Sequence, residues 1–324
     1  MFFNPTAAKM EEIIRLTAEE VGERLDKYVA QKTPSLSRSR LQQLISAGLV
    51  TVNGVPVKAS YRIQQGDEIV ARIPPSEEVE LVPQRMPLRI VYEDEDLVVV
   101  DKPAGMVVHP AHGHQDGTLV NALLARFPDL PVGEDNRPGI VHRLDKNTSG
   151  LIIAVKNEHA RRKLQHQFKE GQVEKTYLAL VEGKVEPERG IVDAPLGRDA
   201  RHRKRMAVVR KGGREAVTEY QVREYLGDYT LLEVRPRTGR THQVRVHLAF
   251  IGHPVAGDKV YGYRKQRLGL KRQFLHAQRL GFLVPSSGEY VALTCELSQD
   301  LSELLERLRK PSLITAEEWE RSRP

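Results

Sequence analysis

Gly139-Ile140-Val141-His142-Arg143-Leu144-Asp145-Lys146-Asn147-Thr148-Ser149-Gly150 passes from three apolar residues through a polar cluster and closes on a glycine, just before the apolar run Leu151–Val155. That is the pattern of a loop feeding a buried strand. A carboxylate between Arg143 and Lys146 can point, charged, at a ligand. Asp145 can equally bond its own backbone in an Asx turn. On this stretch alone both readings stand.

Outward from the loop, strand-like runs dominate: Leu97–Val100, Tyr177–Val181, Leu231–Val234 and Tyr290–Thr294. Helical spacing appears between them at Leu119–Arg126 and His159–Phe168, and a last helix at Leu301–Leu308. Strands mixed with helices, without regular βαβ alternation, predict an α+β domain on a mixed, mostly antiparallel sheet over residues 87–312. Residues 313–324 form a charged C-terminal tail, expected to fray.

Upstream, residues 13–31 carry helical spacing with Leu25, Tyr28 and Val29 on one face. Ser37 is placed to cap a second helix whose apolar face is Leu41, Leu44 and Ile45 and whose end is Gly48. Val50 and Val52 alternate up to Asn53-Gly54, and Val55 and Val57 away from it, the mark of a two-residue hairpin. A further strand ends near Val70. These elements predict a small α/β module over residues 12–72, and the prolines at 74, 75, 83 and 87 suggest a linker over 73–86. Arg38 and Arg40 fall in the first turn of the second helix, where backbone N–H groups favour phosphate. A solvated helix end is the plainer reading of two such arginines.

The 324 residues carry 50 Lys and Arg against 43 Asp and Glu, a net charge of +7. That balance favours a polyanionic partner. No apolar run approaches the ~18 residues of a membrane span, and Met1-Phe2-Phe3-Asn4-Pro5 is too soon interrupted for a signal peptide. One cysteine, Cys295, excludes an internal disulfide framework and a Cys-based zinc cage. The expectation is a cytoplasmic protein that does not enter membranes. His109, His112 and His114, with Asp116 nearby, invite a metal reading, but no metal is expected there.

Arg24-Leu25-Asp26, Ser37-Arg38-Ser39-Arg40, Gly48, Val52-Asn53-Gly54 and Gly66-Asp67 together resemble the S-four-type RNA-binding domain, over roughly residues 20–70. His142-Arg143-Leu144-Asp145 followed by Thr148-Ser149-Gly150 resembles the signature of the RluA/RluD family of pseudouridine synthases. Tyr92-Glu93-Asp94-Glu95-Asp96, Lys102-Pro103-Ala104-Gly105, Val108-His109-Pro110, Lys175-Thr176-Tyr177, the arginine-rich Arg237–His247 and Leu275-His276-Ala277 extend that likeness across residues 87–310. With the module in front, the chain is most similar to the RluD branch. One departure is Val284, where relatives commonly carry histidine.

The resemblance implies a pseudouridine synthase fold and an enzyme that isomerises uridines, most closely in large-subunit ribosomal RNA. Asp145 would be catalytic, with Tyr177 stacking on the flipped base and helping to take the proton from the new carbon–carbon bond, and Arg245 holding Asp145 ionised. For Arg245 the sequence offers a helix capped by Thr241, with Val244, Leu248 and Ile251 as its apolar face. Arg143 would fill the gap left by the extruded base, or else serve only as a structural ion pair. Arg38 and Arg40, together with a loop holding Arg201, Arg203, Lys204 and Arg205 beside Arg198, would grip RNA phosphates. The chemistry implies no cofactor. The expected partner is a hairpin of large-subunit ribosomal RNA met during ribosome assembly, and the expected state a monomer. The alternatives are a catalytically silent assembly factor and the same chemistry on transfer RNA.

Overall fold

The computed structural model describes residues 12–33, 36, 38–74, 81–110, 116–132, 137–199, 202, 205–263 and 267–310. They fall into two compact units, Met1–Val79 and Glu80–Pro324.

The first unit contains β1 (Glu12–Thr17), α1 (Leu25–Lys32), α2 (Arg38–Ser46), β2 (Val50–Val52), β3 (Val55–Pro56) and β4 (Glu68–Ile73). Its four strands form an antiparallel sheet in the order β1-β4-β2-β3. Leu25, Tyr28 and Val29 of α1 and Leu41, Leu44 and Ile45 of α2 pack on Val50, Val52, Ile69 and Ala71 of the sheet. Asn53, at φ 50°, and Gly54, at φ 78°, form the expected turn. One expectation fails: residues 13–17 are strand, not helix. Ile14 and Leu16 alternate toward the core, and pairing with β4 decides a run too short for periodicity to settle. Ser37 lies outside the described residues, so its capping role does too.

The second unit contains β5 (Arg89–Glu93), β6 (Leu97–Lys102), α3 (Leu119–Arg126), β7 (Ser149–Val155), α4 (Glu158–Lys169), β8 (Glu174–Glu182), β9 (Arg189–Asp193), β10 (Leu196–Arg198) and β11 (Met206–Val208). It continues with β12 (Val217–Leu226), β13 (Tyr229–Pro236), α5 (Gln243–Phe250), β14 (Leu275–Leu283), β15 (Tyr290–Thr294) and α6 (Gln299–Arg309). A nine-stranded sheet runs β5-β6-β7-β14-β8-β13-β12-β9, with β15 also on β14. The continuous apolar run of β6 follows from cover on both faces. Val98 and Val100 pack with Leu119 and Leu123 of α3, while Leu97 and Val99 pack with Ala160 and Leu164 of α4.

Within this sheet β7 and β14 pair in parallel, through Ser149–His276 and Gly150–Ala277, whereas the other strand pairs are antiparallel. This short join divides the sheet into two halves. Gly150, at φ 111°, makes it possible: a Cβ there would lie 2.2 Å from the Ala277 carbonyl oxygen. Of the stretch expected to be a linker, residues 75–80 lie outside the described residues. Gln84 donates its backbone N–H to the Asn121 carbonyl in α3. Among the described residues no helix is long and apolar enough to cross a membrane.

Candidate active site

The loop carrying Asp145 leads into β7, at the join of the two half-sheets, and its backbone is held from three sides. The Lys146 carbonyl accepts from the Gly105 N–H at 2.8 Å and from Lys102 Nζ at 3.2 Å. The Asn147 carbonyl accepts from Arg272 Nη1 at 3.1 Å. Thr148 donates its N–H to the Asp145 carbonyl at 3.1 Å, and its hydroxyl accepts from Gln273 Nε2 at 3.3 Å. Lys102 is fully buried and bonds two more carbonyls, of Pro103 and Met106. Burial pushes its ammonium down to about 7, although the Asp145 charge opposes this. Arg272 also forks onto Asp300 at 2.6 and 2.8 Å, so α6 helps to position the loop.

Asp145 is not in an Asx turn: among the described residues no backbone N–H reaches its carboxylate. Instead Oδ2 accepts from Arg245 Nη1 at 2.8 Å, and Oδ1 lies 3.8 Å from His242 Nε2. Arg245 is 4% exposed, and its other edge forks onto the fully buried Asp258 at 2.6 and 2.9 Å. Burial would depress the guanidinium, but Asp258 first and Asp145 second outweigh it and hold it above its ordinary value. Asp258 is held low against its own burial by Arg245 and by the N–H groups of Val260 and Tyr261. The Arg245 guanidinium also lies over the Tyr261 ring, 5.1 Å from its centroid.

Thr241 does not cap α5. The N-cap is His242, at φ 58°, and its Nδ1 meets the Tyr261 hydroxyl at 2.8 Å. Burial lowers the His242 pKa, against the pull of Asp145.

These groups open on a cavity of about 350 Å³ lined by the Asp145 loop, by Lys175 and Tyr177 of β8, and by Pro236 and residues 238–245. Tyr177 is half-buried, and no described residue hydrogen-bonds its hydroxyl. Burial, then the charge of Asp145, pushes its phenol above the ordinary range, so it holds its proton. His142 stacks on Phe168 with centroids 4.6 Å apart, and its Nε2 accepts from the Ile153 N–H at 2.8 Å. Burial, then Lys175, pushes it down to about 3, so it is a neutral acceptor that shapes the loop.

Arg143 lines the cavity with its side chain exposed. It forms no ion pair among the described residues. Arg205 is exposed; Arg201, Arg203 and Lys204 lie outside the described residues, as do His112 and His114. The His109 ring bonds the Pro110 carbonyl. Among the described residues no three His, Cys, Asp or Glu side chains could share a metal ion. Cys295 is buried, one residue beyond β15, and its sulfur meets His276 Nε2 at 3.2 Å.

In the first unit the arginines surround a different carboxylate. Asp26 is fully buried and accepts from Arg24, from both Nε and Nη2 of Arg38, and from Gln42. The Arg24 hydrogen bond first, then Gln42 and Arg38, hold its carboxyl far below the usual range in spite of burial. Arg38 and Arg24 keep 52% and 39% of their side chains exposed. Arg40 reaches Gln43 at 3.5 Å.

Asp145, Tyr177, Arg245 and Arg143 therefore meet at one cavity. His242 lines it too, and Asp258, Tyr261 and Arg272 support it from behind, none of the four having been singled out in the sequence. His242 lay inside the arginine-rich motif. The other three carried no local signal, because their contacts exist only once the sheet is assembled.

Known proteins that the chain resembles can be set beside this loop carboxylate, wired to a buried arginine at the seam of a divided sheet. Residues 96–250 match the RNA pseudouridylate synthase family, and residues 23–69 match the S4 domain. The chain is 46% identical over 298 residues to an RNA pseudouridine synthase of Bacillus subtilis, covering 92% of this chain and 98% of that one. It is 45% identical to the ribosomal large subunit pseudouridine synthase D of Zymomonas mobilis, over 92% and 97% of the two chains. The solved human RNA pseudouridylate synthase domain containing 1 is 31% identical, with a TM-score of 0.53, over 69% of this chain and 95% of that one. The chain belongs to the RNA pseudouridine synthase family. It is an isomerase with an RNA-binding domain at its N-terminal end.

Proposed function

We propose that the protein isomerises uridines in a hairpin of large-subunit ribosomal RNA, met during ribosome assembly, with Asp145 as the catalytic carboxylate. One observation carries the catalytic part: Asp145 is the only carboxylate among the described cavity residues, anchored by a buried arginine and facing open space. The reaction breaks the N-glycosidic bond, turns the retained uracil and rejoins it through carbon, consuming neither water nor a cofactor. A charged carboxylate beside the sugar serves as nucleophile at the anomeric carbon or as acceptor of a sugar proton. Arg245 keeps that carboxylate oriented. Tyr177 stacks on the flipped base, and its neutral phenol suits stacking and hydrogen bonding better than proton abstraction.

Arg143 fills the space vacated by the base. Residues 12–72 form the RNA-binding module, residues 73–86 the linker and residues 87–312 the catalytic domain. Arg38, Arg40, Arg201, Arg203, Lys204 and Arg205 contact phosphates. Large-subunit RNA is favoured by the name of the Zymomonas relative, and a hairpin by the lower cost of extruding loop bases. The acting species in this reading is a monomer. We place its action in the cytoplasm, where ribosomes assemble.

The test is to give purified protein large-subunit RNA, small-subunit RNA and bulk transfer RNA, and to map pseudouridine in each. Modification confined to the first supports the assignment. Modification confined to transfer RNA sinks it and leaves the chemistry standing.

A further inference from the structure

The cavity that Asp145 lines also holds a cation whose position the isomerisation itself does not explain. Lys175 and Tyr177 are alternate residues of β8 and both line the cavity, whereas Thr176 between them faces the other side of the sheet. Lys175 is half-buried. Among the described residues it has no hydrogen bond and no ion pair, and its ammonium rests 5.9 Å from the Phe168 ring centroid. The charge it feels is another cation, Arg240, on the same cavity wall. Arg240 in turn has Arg214 for a neighbour. It spends its Nε on the Glu215 carbonyl at 2.9 Å, which leaves the outer edge of its guanidinium for a ligand. The Glu215 charge offsets part of this repulsion at Arg240, but Lys175 has no carboxylate partner among the described residues, and two such neighbouring cations favour an anion between them.

We infer that Lys175 and Arg240 form an anion subsite that takes a backbone phosphate next to the target uridine. This rests on the RNA reading above and assigns a place within it. Alternate residues on a strand stand about 6.6 Å apart, a span comparable to that between base and phosphate within one nucleotide. A base stacked on Tyr177 thus brings its own phosphate to Lys175, while its sugar faces Asp145. The electrostatics agree: burial, then Arg240, pushes the lysine down to about 8. A bound phosphate stabilises the charged ammonium and raises that value, so binding takes up a proton. The contact is fully present below about pH 8 and fades as pH climbs above it.

The experiment measures binding of an RNA hairpin that the wild-type protein modifies, alongside single-turnover rates at saturating protein. Lys175→Met should weaken binding by about tenfold, with a salt slope shallower by about 0.7–0.9, one phosphate contact; turnover should fall less than affinity. A methylphosphonate beside the target uridine should weaken the wild type more than the Lys175→Met protein, which keeps only the Arg240 contact. Lys175→Arg should retain affinity but lose the proton uptake near pH 8, measured calorimetrically in two buffers of different ionisation enthalpy. Equal weakening of both proteins by the methylphosphonate, or identical proton uptake by wild type and Lys175→Arg, would overturn the subsite. Should Lys175→Met not fold, the Lys175→Arg comparison still decides. A wild type that modifies no RNA would instead mark failure of the underlying functional reading.

Discussion

The molecule holds two arginine–aspartate clusters that are inverse to each other. Around Asp26 the acid is the buried partner, saturated by Arg24, Arg38 and Gln42, and the guanidiniums face outward. Around Arg245 the cation is the buried partner, forked onto Asp258, and the carboxylate of Asp145 faces the cavity. A buried ion needs a complete shell of partners, so the group left at the edge is the one displayed, its orientation fixed by the shell beneath. The first arrangement displays positive charge, which suits phosphate. The second displays negative charge, which suits a sugar carbon or its proton. Under the proposed function, the same two residue types would serve binding in one unit and chemistry in the other.

The comparison breaks most visibly at the buried cation. Arg245→Met leaves Asp258 without a counter-charge and should destabilise the catalytic unit by roughly 3–5 kcal/mol, with turnover lost. Adding Asp258→Leu should restore much of that stability without restoring turnover. Chemical denaturation of both variants checks this, and an Arg245→Met protein as stable as wild type would mean the pair is not buried as described.

A smaller effect sharpens the geometry. Arg272→Lys keeps the charge but cannot serve Asp300 and the Asn147 carbonyl together. Turnover at saturating protein should fall about tenfold, roughly 1.4 kcal/mol of barrier, while RNA affinity holds. A merely structural role would lower stability and leave the rate per folded molecule unchanged.

The smallest effect belongs to the binding cluster. Asp26→Asn should cost the N-terminal unit about 1–3 kcal/mol and weaken RNA binding severalfold, because Arg24 and Arg38 lose their seat. Asp26 titrates below its ordinary value when folded. Its contribution is therefore present above about pH 4 and disappears as pH falls further. Acid unfolding of the unit should shift accordingly between wild type and the Asn variant.

Much of this is legible in the sequence alone. The motif around Asp145, the tyrosine of β8 and the arginine of α5 arrive at one cavity. The expectation for α5 failed in an instructive way. By spacing, Arg245 stands one residue off the stripe of Val244, Leu248 and Ile251, at its border, yet the helix buries six consecutive residues from Gln243 to Leu248. A helix buried all round has no polar border, and only its partner Asp258, 13 residues on, explains an arginine there. Asp258 and Arg272 were invisible for the same reason: their roles depend on neighbours distant in sequence. The parallel join of β7 and β14 was equally hidden, although Gly150 marked the place.

The most direct measurement sets Asp145→Asn beside Asp26→Asn on one RNA, reading affinity and single-turnover pseudouridine formation for each. Asp145→Asn should bind like wild type and form no pseudouridine, and Asp26→Asn should bind more weakly yet reach the wild-type rate at saturation. Pseudouridine formation by Asp145→Asn within about tenfold of wild type, a barrier change of only ~1.4 kcal/mol, would contradict the account.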